Sequence, residues 1–160
     1  MDIKDTSQGR PLNAVFRGMR IATSSLSAER ERVDTIAKNI ANARTTKDPA
    51  TGLPYQREEV SFAPIMERIA GGKDRFVGIR VDEIVKDESP FEEVFDPTHP
   101  DADERGVVLY PNVNTMKEMA DLVTAVRSYE ANISVQENFE RMADRALRLA
   151  DRSGPHGAEP

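Results

Sequence analysis

From Leu12 the chain carries an apolar residue every seven positions: Leu12, Met19, Leu26, Val33 and Ile40. A second apolar set, Val15/Phe16, Ala22, Ile36/Ala37 and Ala43, falls three or four residues further on, interrupted by Glu29-Arg30-Glu31-Arg32. A stripe this narrow and this regular predicts the seam of a coiled coil rather than the broad face of a globular-bundle helix. The predicted helix covers residues 12–45, and its span from Leu12 to Asn42 is about 45 Å at 1.5 Å per residue. Gly18 weakens it by roughly 1 kcal/mol relative to Ala. The Asp48-Pro49 break beyond Thr45-Thr46 marks its stop. Residues 1–11 are polar and read as a flexible extension.

Helical periodicity vanishes between 46 and 113, where seven of the ten prolines fall. Val77-Gly78-Ile79-Arg80-Val81 alternates strictly and runs into Ile84-Val85. Phe91–Phe95, Val107–Tyr110 and Tyr55–Phe62 are the further strand candidates, and Gly71-Gly72 reads as a turn. These features predict a small β-rich insert with loops, of marginal stability on its own.

A helical pattern returns over residues 114–152. Thr115 and Glu118 have the spacing of a capping box. Apolar positions then recur at Met119, Leu122/Val123, Val126, Tyr129 and Ile133, and resume at Phe139, Met142, Ala146 and Leu149. Ser153-Gly154-Pro155 ends the helix, and residues 153–160 read as a disordered tail. The expected fold class is α+β, with long N- and C-terminal coiled-coil helices flanking a small β-rich insert.

Two long helices with narrow seams can pair with each other, but a two-helix hairpin buries only one side of each. Ala28, Ala41, Ala120, Ala125, Ala131 and Ala143 leave flanks on which further helices can dock closely, so packing between molecules is expected. Asn39 and Asn42 bracket Ile40, and Asn132 stands on the second helix. Asn is a mediocre helix former, so these positions are either solvated or amides that fix register between packed helices. The candidate assembly interface is therefore Leu12, Met19, Leu26, Val33, Ile36, Asn39, Ile40 and Asn42 on the first helix. On the second it is Met119, Val123, Val126, Tyr129, Asn132, Ile133, Phe139 and Met142.

Composition narrows the possible functions. The 160 residues are 38% hydrophobic and 31% charged, with a formal charge of −6. The acidity is concentrated in the insert, which argues against a general grip on nucleic-acid phosphates. With no cysteine, thiol chemistry, disulfides and cysteine-ligated zinc are excluded. No apolar run approaches the roughly 20 residues of a membrane span, so the chain is not expected to be membrane-integral. The N-terminus lacks the apolar stretch of a secretory signal, so any export is expected to be independent of a cleaved signal peptide.

The one cluster with metal-ligand character is Asp96, His99, Asp101, Asp103 and Glu104. As a calcium loop beginning at Asp101 it fails, with Arg105 at the fifth position and Asn112 where a bidentate Glu belongs. As a transition-metal site it has a single His. A solvated loop or a subunit contact suits these residues better. Gly71-Gly72-Lys73 lacks the spacing of a phosphate loop. No catalytic constellation, cofactor site or small-molecule substrate is expected, and the chain is not expected to be an enzyme.

Ala37-Lys38-Asn39-Ile40-Ala41-Asn42-Ala43-Arg44-Thr45 resembles the Asn-Asn-Ile-Ala-Asn-Ala-Asn-Thr signature of bacterial flagellar axial proteins of the rod and hook class. Tyr129-Glu130-Ala131-Asn132 resembles the C-terminal counterpart. Within the class, Asp96-Pro97-Thr98-His99-Pro100-Asp101-Ala102-Asp103, Gly106, Pro111-Asn112-Val113-Asn114 and Glu118-Met119 are similar to the proximal-rod branch. Lys38 and Arg44 depart from the signature, as does Val107 after Gly106. The resemblance implies a structural subunit of the flagellar basal body, in the rod that crosses the periplasm as a drive shaft. Its partners are then itself, other flagellar rod proteins, and the flagellar type III export apparatus through which it leaves the cytoplasm. A cytosolic coiled-coil adaptor is the alternative. Terminal helices without their full partners are expected to be mobile in the free subunit, over residues 12–42 in particular.

Overall fold

The order of elements is helix, four strands, helix. In the computed structural model, which describes residues 10–49 and 51–152, α1 runs Arg10–Ala41, β1 Glu58–Arg68 and β2 Asp74–Lys86. They are followed by β3 at Glu92–Phe95, β4 at Val107–Tyr110 and α2 at Thr115–Arg152. Of the extension expected over 1–11, residues 1–9 lie outside the described residues and residues 10 and 11 open α1; the tail over 153–160 also lies outside, as do the side chains at both helix extremities, Leu12 among them. The architecture is α+β with terminal helices around a small insert of strands.

Local chemistry caps the close of α1 and the start of α2. At the close of α1 the Asn42 side-chain amide donates to the Lys38 carbonyl at 2.9 Å, and the Asn42 backbone N–H reaches the same oxygen at 3.1 Å. This serves one of the carbonyls that a helix terminus leaves without an intrahelical partner. The Asn42 Oδ1 in turn accepts from the Thr45 hydroxyl at 3.2 Å. At the start of α2 the capping residue is Asn114, whose Oδ1 accepts from the Lys117 N–H at 3.0 Å. The spacing of Thr115 and Glu118 suggested a capping box. With Asn114 in the cap instead, the Glu118 carboxylate is turned to other partners.

β1 and β2 pair in one two-stranded sheet, and β3 and β4 in another. The first is closed by a turn in which the Ile69 N–H donates to the Lys73 carbonyl at 3.0 Å, with Gly71 and Gly72 at φ of 95° and 75°. Left-handed backbone of this kind is open to glycine at little steric cost. The second sheet is antiparallel, with Glu92 opposite Tyr110 and Phe95 opposite Val107.

The chain divides into two compact units, each built from segments distant in sequence. The first takes the N-terminal part of α1 through Ser27, residues 64–80 and α2 from Tyr129 onward. Its buried apolar residues are small or branched: Ala22, Val77 and Ala143. Gly18 lies directly beneath the Phe139 ring, so closely that a Cβ there would overlap the ring carbons. Ser24 donates to the Ile21 carbonyl at 2.8 Å and accepts from the Ile79 N–H at 3.2 Å. Gly78 has no room for a Cβ because the Ser24 side chain occupies that space.

The second unit comprises residues 28–63 and 81–128. Ala28, Ile36, Tyr55, Val108 and Ala125 form its apolar core. Beside them lie three buried polar residues, Thr35, Asn39 and Glu118, the last two wholly inaccessible to solvent. Thr35 satisfies its hydroxyl on the Glu31 carbonyl at 2.9 Å. The other two form the centre of the site described next.

Candidate assembly site

Asn39 can donate twice and accept twice through its side-chain amide, and all four capacities are filled. Its Nδ2 donates to the Glu58 carbonyl at 2.8 Å and to Glu118 Oε2 at 3.0 Å. Its Oδ1 accepts from the Tyr55 hydroxyl at 2.8 Å and from the Glu58 N–H at 2.9 Å. Both backbone groups of Glu58 are thus paired with one side-chain amide, which stands in for a neighbouring strand at the start of β1. A buried amide is tolerated only when satisfied in this way.

Glu118 completes the arrangement. Its second oxygen accepts from Arg57 Nε at 2.8 Å, so a fully buried carboxylate faces a largely buried guanidinium. Burial works against the charge on Arg57, but the hydrogen bond and charge of Glu118 outweigh it and raise the pKa above its ordinary value. Burial is also the main cause of the raised pKa of the Tyr55 phenol, with the charges of Glu58 and Glu118 adding to it. Tyr55 therefore stays a neutral donor to Asn39. On the outer side Lys38 grips both oxygens of Glu58 at 2.8 and 2.7 Å.

A second amide repeats the device. Asn112 Oδ1 accepts from the Arg57 N–H at 2.8 Å, and its Nδ2 donates to the Asp87 and Ser89 carbonyls at 2.9 and 3.0 Å. The Arg57 carbonyl in turn accepts from the Asp87 N–H at 2.8 Å. The start of β1, the end of β2 and the entrance to α2 are joined by side-chain amides within one unit.

The candidate interface residues occupy several environments. On α1, Ile36 and Asn39 are buried, whereas Met19, Leu26, Val33, Ile40 and Asn42 are half-buried. On α2, Tyr129, Asn132 and Phe139 are half-buried, while Met119, Val123, Val126, Ile133 and Met142 are exposed. The buried line of α2 in the second unit is instead Glu118, Leu122 and Ala125, with Leu122 half-buried. One residue on, about 100° round the helix, Met116, Met119, Val123 and Val126 form an uncovered apolar stripe. Met116 is 77% exposed and Val123 53%. Ile133, Val135, Met142, Leu147 and Leu149 add further exposed apolar side chains in the first unit.

The acidic loop between β3 and β4 is held by its own side chains. Asp96 Oδ1 accepts from the Thr98 N–H and hydroxyl, and Asp103 Oδ1 from the N–H groups of Arg105 and Val107. The Thr98 hydroxyl is the main cause of the lowered pKa of Asp96, and the Val107 N–H does the same for Asp103. His99 Nδ1 accepts from the Asp101 N–H at 3.1 Å. Among the described residues no group of three or more His, Cys, Asp or Glu side chains is placed to hold a metal ion. No described helix is long and apolar enough to cross a membrane.

Two known families match parts of the chain that include most of both helices. The family described as flagella basal body rod protein matches residues 19–46, and the C-terminal family of the flagellar basal body rod FlgEFG proteins matches residues 104–149. Both matches are to flagellar basal-body rod proteins.

Full-length relatives narrow the class. The flagellar basal-body rod protein FlgC of Bacillus subtilis is 37% identical over 145 residues, covering 84% of this chain and 97% of the relative. FlgC of Borreliella burgdorferi is 38% identical over 148 residues with the same coverage. FlgC of Aquifex aeolicus is 39% identical over 134 residues, covering 79% and 93%. The chain belongs to the flagellar basal-body rod protein FlgC family.

Proposed function

We propose that this chain is a non-enzymatic structural subunit of the flagellar basal-body rod, built into it through its helices. The observation that carries the reading is the face of α2 bearing Met116, Met119, Val123 and Val126, which is apolar, helically spaced and uncovered in the single chain. A contiguous exposed apolar stripe belongs to an interaction surface more often than to a finished monomer. Membership of the FlgC family gives that surface its setting. The candidate interface then works as a set: Met119, Val123, Val126, Ile133 and Met142 offer apolar area, and Met19, Leu26, Val33 and Ile40 add half-buried side chains on α1. Its partners are further copies and other rod proteins, and its location is the periplasmic section of the basal body, reached through the flagellar type III export apparatus. Torque passes through the packed helices, with no cofactor or substrate involved.

The test is complementation of a strain lacking the gene with Val123→Asp. The purified variant should keep the helix content of the parent, since Val123 is exposed in the single chain. Cells should be non-motile, and basal bodies extracted from them should lack the rod. Normal swimming with complete basal bodies would overturn the proposal, as would finding the wild-type chain by mass spectrometry only in the cytosol while basal bodies are intact.

A further inference from the structure

The candidate region 12–42 does not have one character along its length. At Thr35–Ala41 the helix is tied into the second unit by the buried and half-buried bonds of Asn39 to Tyr55, Glu58 and Glu118, and on the exposed side by Lys38 to Glu58. Within Val15–Ser27, in the first unit, the only buried apolar residue among the described ones is Ala22, and Ser24 and Ser25 make side-chain hydrogen bonds there. Local stability follows the number of buried contacts and protected hydrogen bonds, so it differs between segments of one helix.

We propose that the Asn39 junction is a conformational clasp that orders the C-terminal turns of α1 in the free subunit, before any neighbouring subunit covers the helix. The clasp needs nothing from another chain. Every hydrogen-bonding capacity of the Asn39 amide is met within residues 28–63 and 81–128, and the Glu118 carboxylate is neutralised there by Arg57. Helix formation has a costly nucleus and inexpensive growth. A terminal turn already fixed on β1 supplies that nucleus, so α1 extends from residue 42 toward its N-terminus. The N-terminal turns, with few buried contacts of their own, are the part left to be stabilised on assembly. The clasp is a property of the isolated polypeptide and holds whether or not the rod assignment does.

Amide hydrogen exchange on the purified full-length monomer tests it. Amides of residues 35–42 should exchange at least about tenfold more slowly than those of 15–27, a difference of about 1.4 kcal/mol in opening free energy at 25 °C. In Asn39→Ala the protection of 35–42 and of 55–59 should fall together. Tyr55→Phe, which removes a single hydroxyl and keeps the ring, should reduce protection of both segments by a smaller factor and guards against outright unfolding of the first variant. Equal exchange of 35–42 and 15–27 in the wild-type chain would overturn the proposal. So would Tyr55→Phe and Asn39→Ala leaving the 35–42 amides as slow as in the parent.

Discussion

Replacing Asn39 by alanine sets two effects against each other, and the structure decides which prevails. Alanine is the better helix former, by roughly 0.5–0.7 kcal/mol at an interior position. Against that gain stand four hydrogen bonds, to the Tyr55 hydroxyl, both backbone groups of Glu58, and Glu118 Oε2. At a net value of about 1 kcal/mol each, their loss amounts to roughly 4 kcal/mol. The partners are not freed into water, since Glu118 is fully buried and Tyr55 nearly so, which adds a desolvation penalty for whatever stays unpaired. Glu58 lies nearer the surface and can rehydrate, which reduces the loss. The expected net destabilisation is about 3–4 kcal/mol, a large share of the 5–15 kcal/mol typical of a domain. Urea unfolding followed by far-ultraviolet circular dichroism measures it. With slopes of about 1–3 kcal/mol per molar, the midpoint should drop by more than about 1 M. Asn39→Asp is the informative companion: it keeps the shape and both acceptors, loses both donors, and brings a second carboxylate against Glu118. At neutral pH it should be at least as damaging. Its folded-state pKa is expected above the unfolded value, so acidification toward pH 4 should recover part of the stability. A loss below about 1 kcal/mol for Asn39→Ala would refute the reasoning, because the four bonds together would then be worth under about 1.7 kcal/mol, less than half of what their number implies.

Further outcomes follow from neighbouring contacts. Glu118→Ala removes the partner of Arg57 Nε but leaves its Nη1 paired with Glu59 at 3.2 Å and Asp87 at 3.5 Å, so it should cost about 2–3 kcal/mol by urea unfolding, whereas Glu118→Gln, which keeps an acceptor, should cost clearly less. Gly18→Ala gains roughly 1 kcal/mol in helix propensity but drives a methyl group into the Phe139 ring. Overpacking of about 1–3 kcal/mol should make it net destabilising, and the double variant with Phe139→Leu should recover the propensity gain. Asn42→Ala removes the side-chain bond to the Lys38 carbonyl and should fray the last turn of α1, seen as faster amide exchange at residues 40–43 with little change in the urea midpoint. Asp96 and Asp103 have folded pKa values below their ordinary ones, so their contribution is present above the ordinary value of about 4 and is lost as pH falls through the lowered ones. Nuclear magnetic resonance should accordingly show the 96–107 loop loosening only in strongly acid solution.

The two helices were legible in the sequence because their pattern is long: an apolar residue every seven positions from Leu12 to Ile40 is difficult to accommodate in any other regular element. The strands were legible where alternation was strict, at Val77–Val81, and where turn chemistry flanked them. The most buried line was less visible. Apart from Ile36, the buried residues described are Ala22, Ala28, Thr35 and Asn39 on α1 and Glu118, Ala125 and Ala143 on α2, residues that hydrophobicity patterns rank below Met19, Leu26, Met119 and Val123. Small side chains are buried because they let backbones approach, a property of geometry that a hydrophobic pattern does not record. Asn39 could be singled out as an unusual helix-interior residue, but its partners could not. Tyr55 and Glu118 are 16 and 79 positions away, and Glu118 carried a ready local explanation as a helix cap. The cap fell to Asn114, one position earlier than Thr115, and that shift released a carboxylate for burial.

A subunit whose helices are to be buried against neighbours faces a conflict, because any apolar surface used to fold the single chain is withdrawn from assembly. The second unit resolves it by dividing the work between chemistries. Its internal junction is largely polar and fully satisfied, with Asn39, Asn112, Glu118 and Arg57 fixing which turn of α1 meets which residue of β1 and α2. A polar junction of this kind penalises every misregistered alternative, since a one-residue slip leaves buried donors and acceptors unpaired. The larger apolar side chains of α2, Met116, Met119, Val123 and Val126, remain on the outside. Under the proposed function, uniqueness of the fold and affinity for neighbours are carried by different residues of the same helix. Substitutions at Asn39 or Glu118 should therefore lower monomer stability, and those at Val123 should abolish assembly at unchanged monomer stability. A variant at Val123 that destabilised the monomer as much as Asn39→Ala would show that the division does not exist.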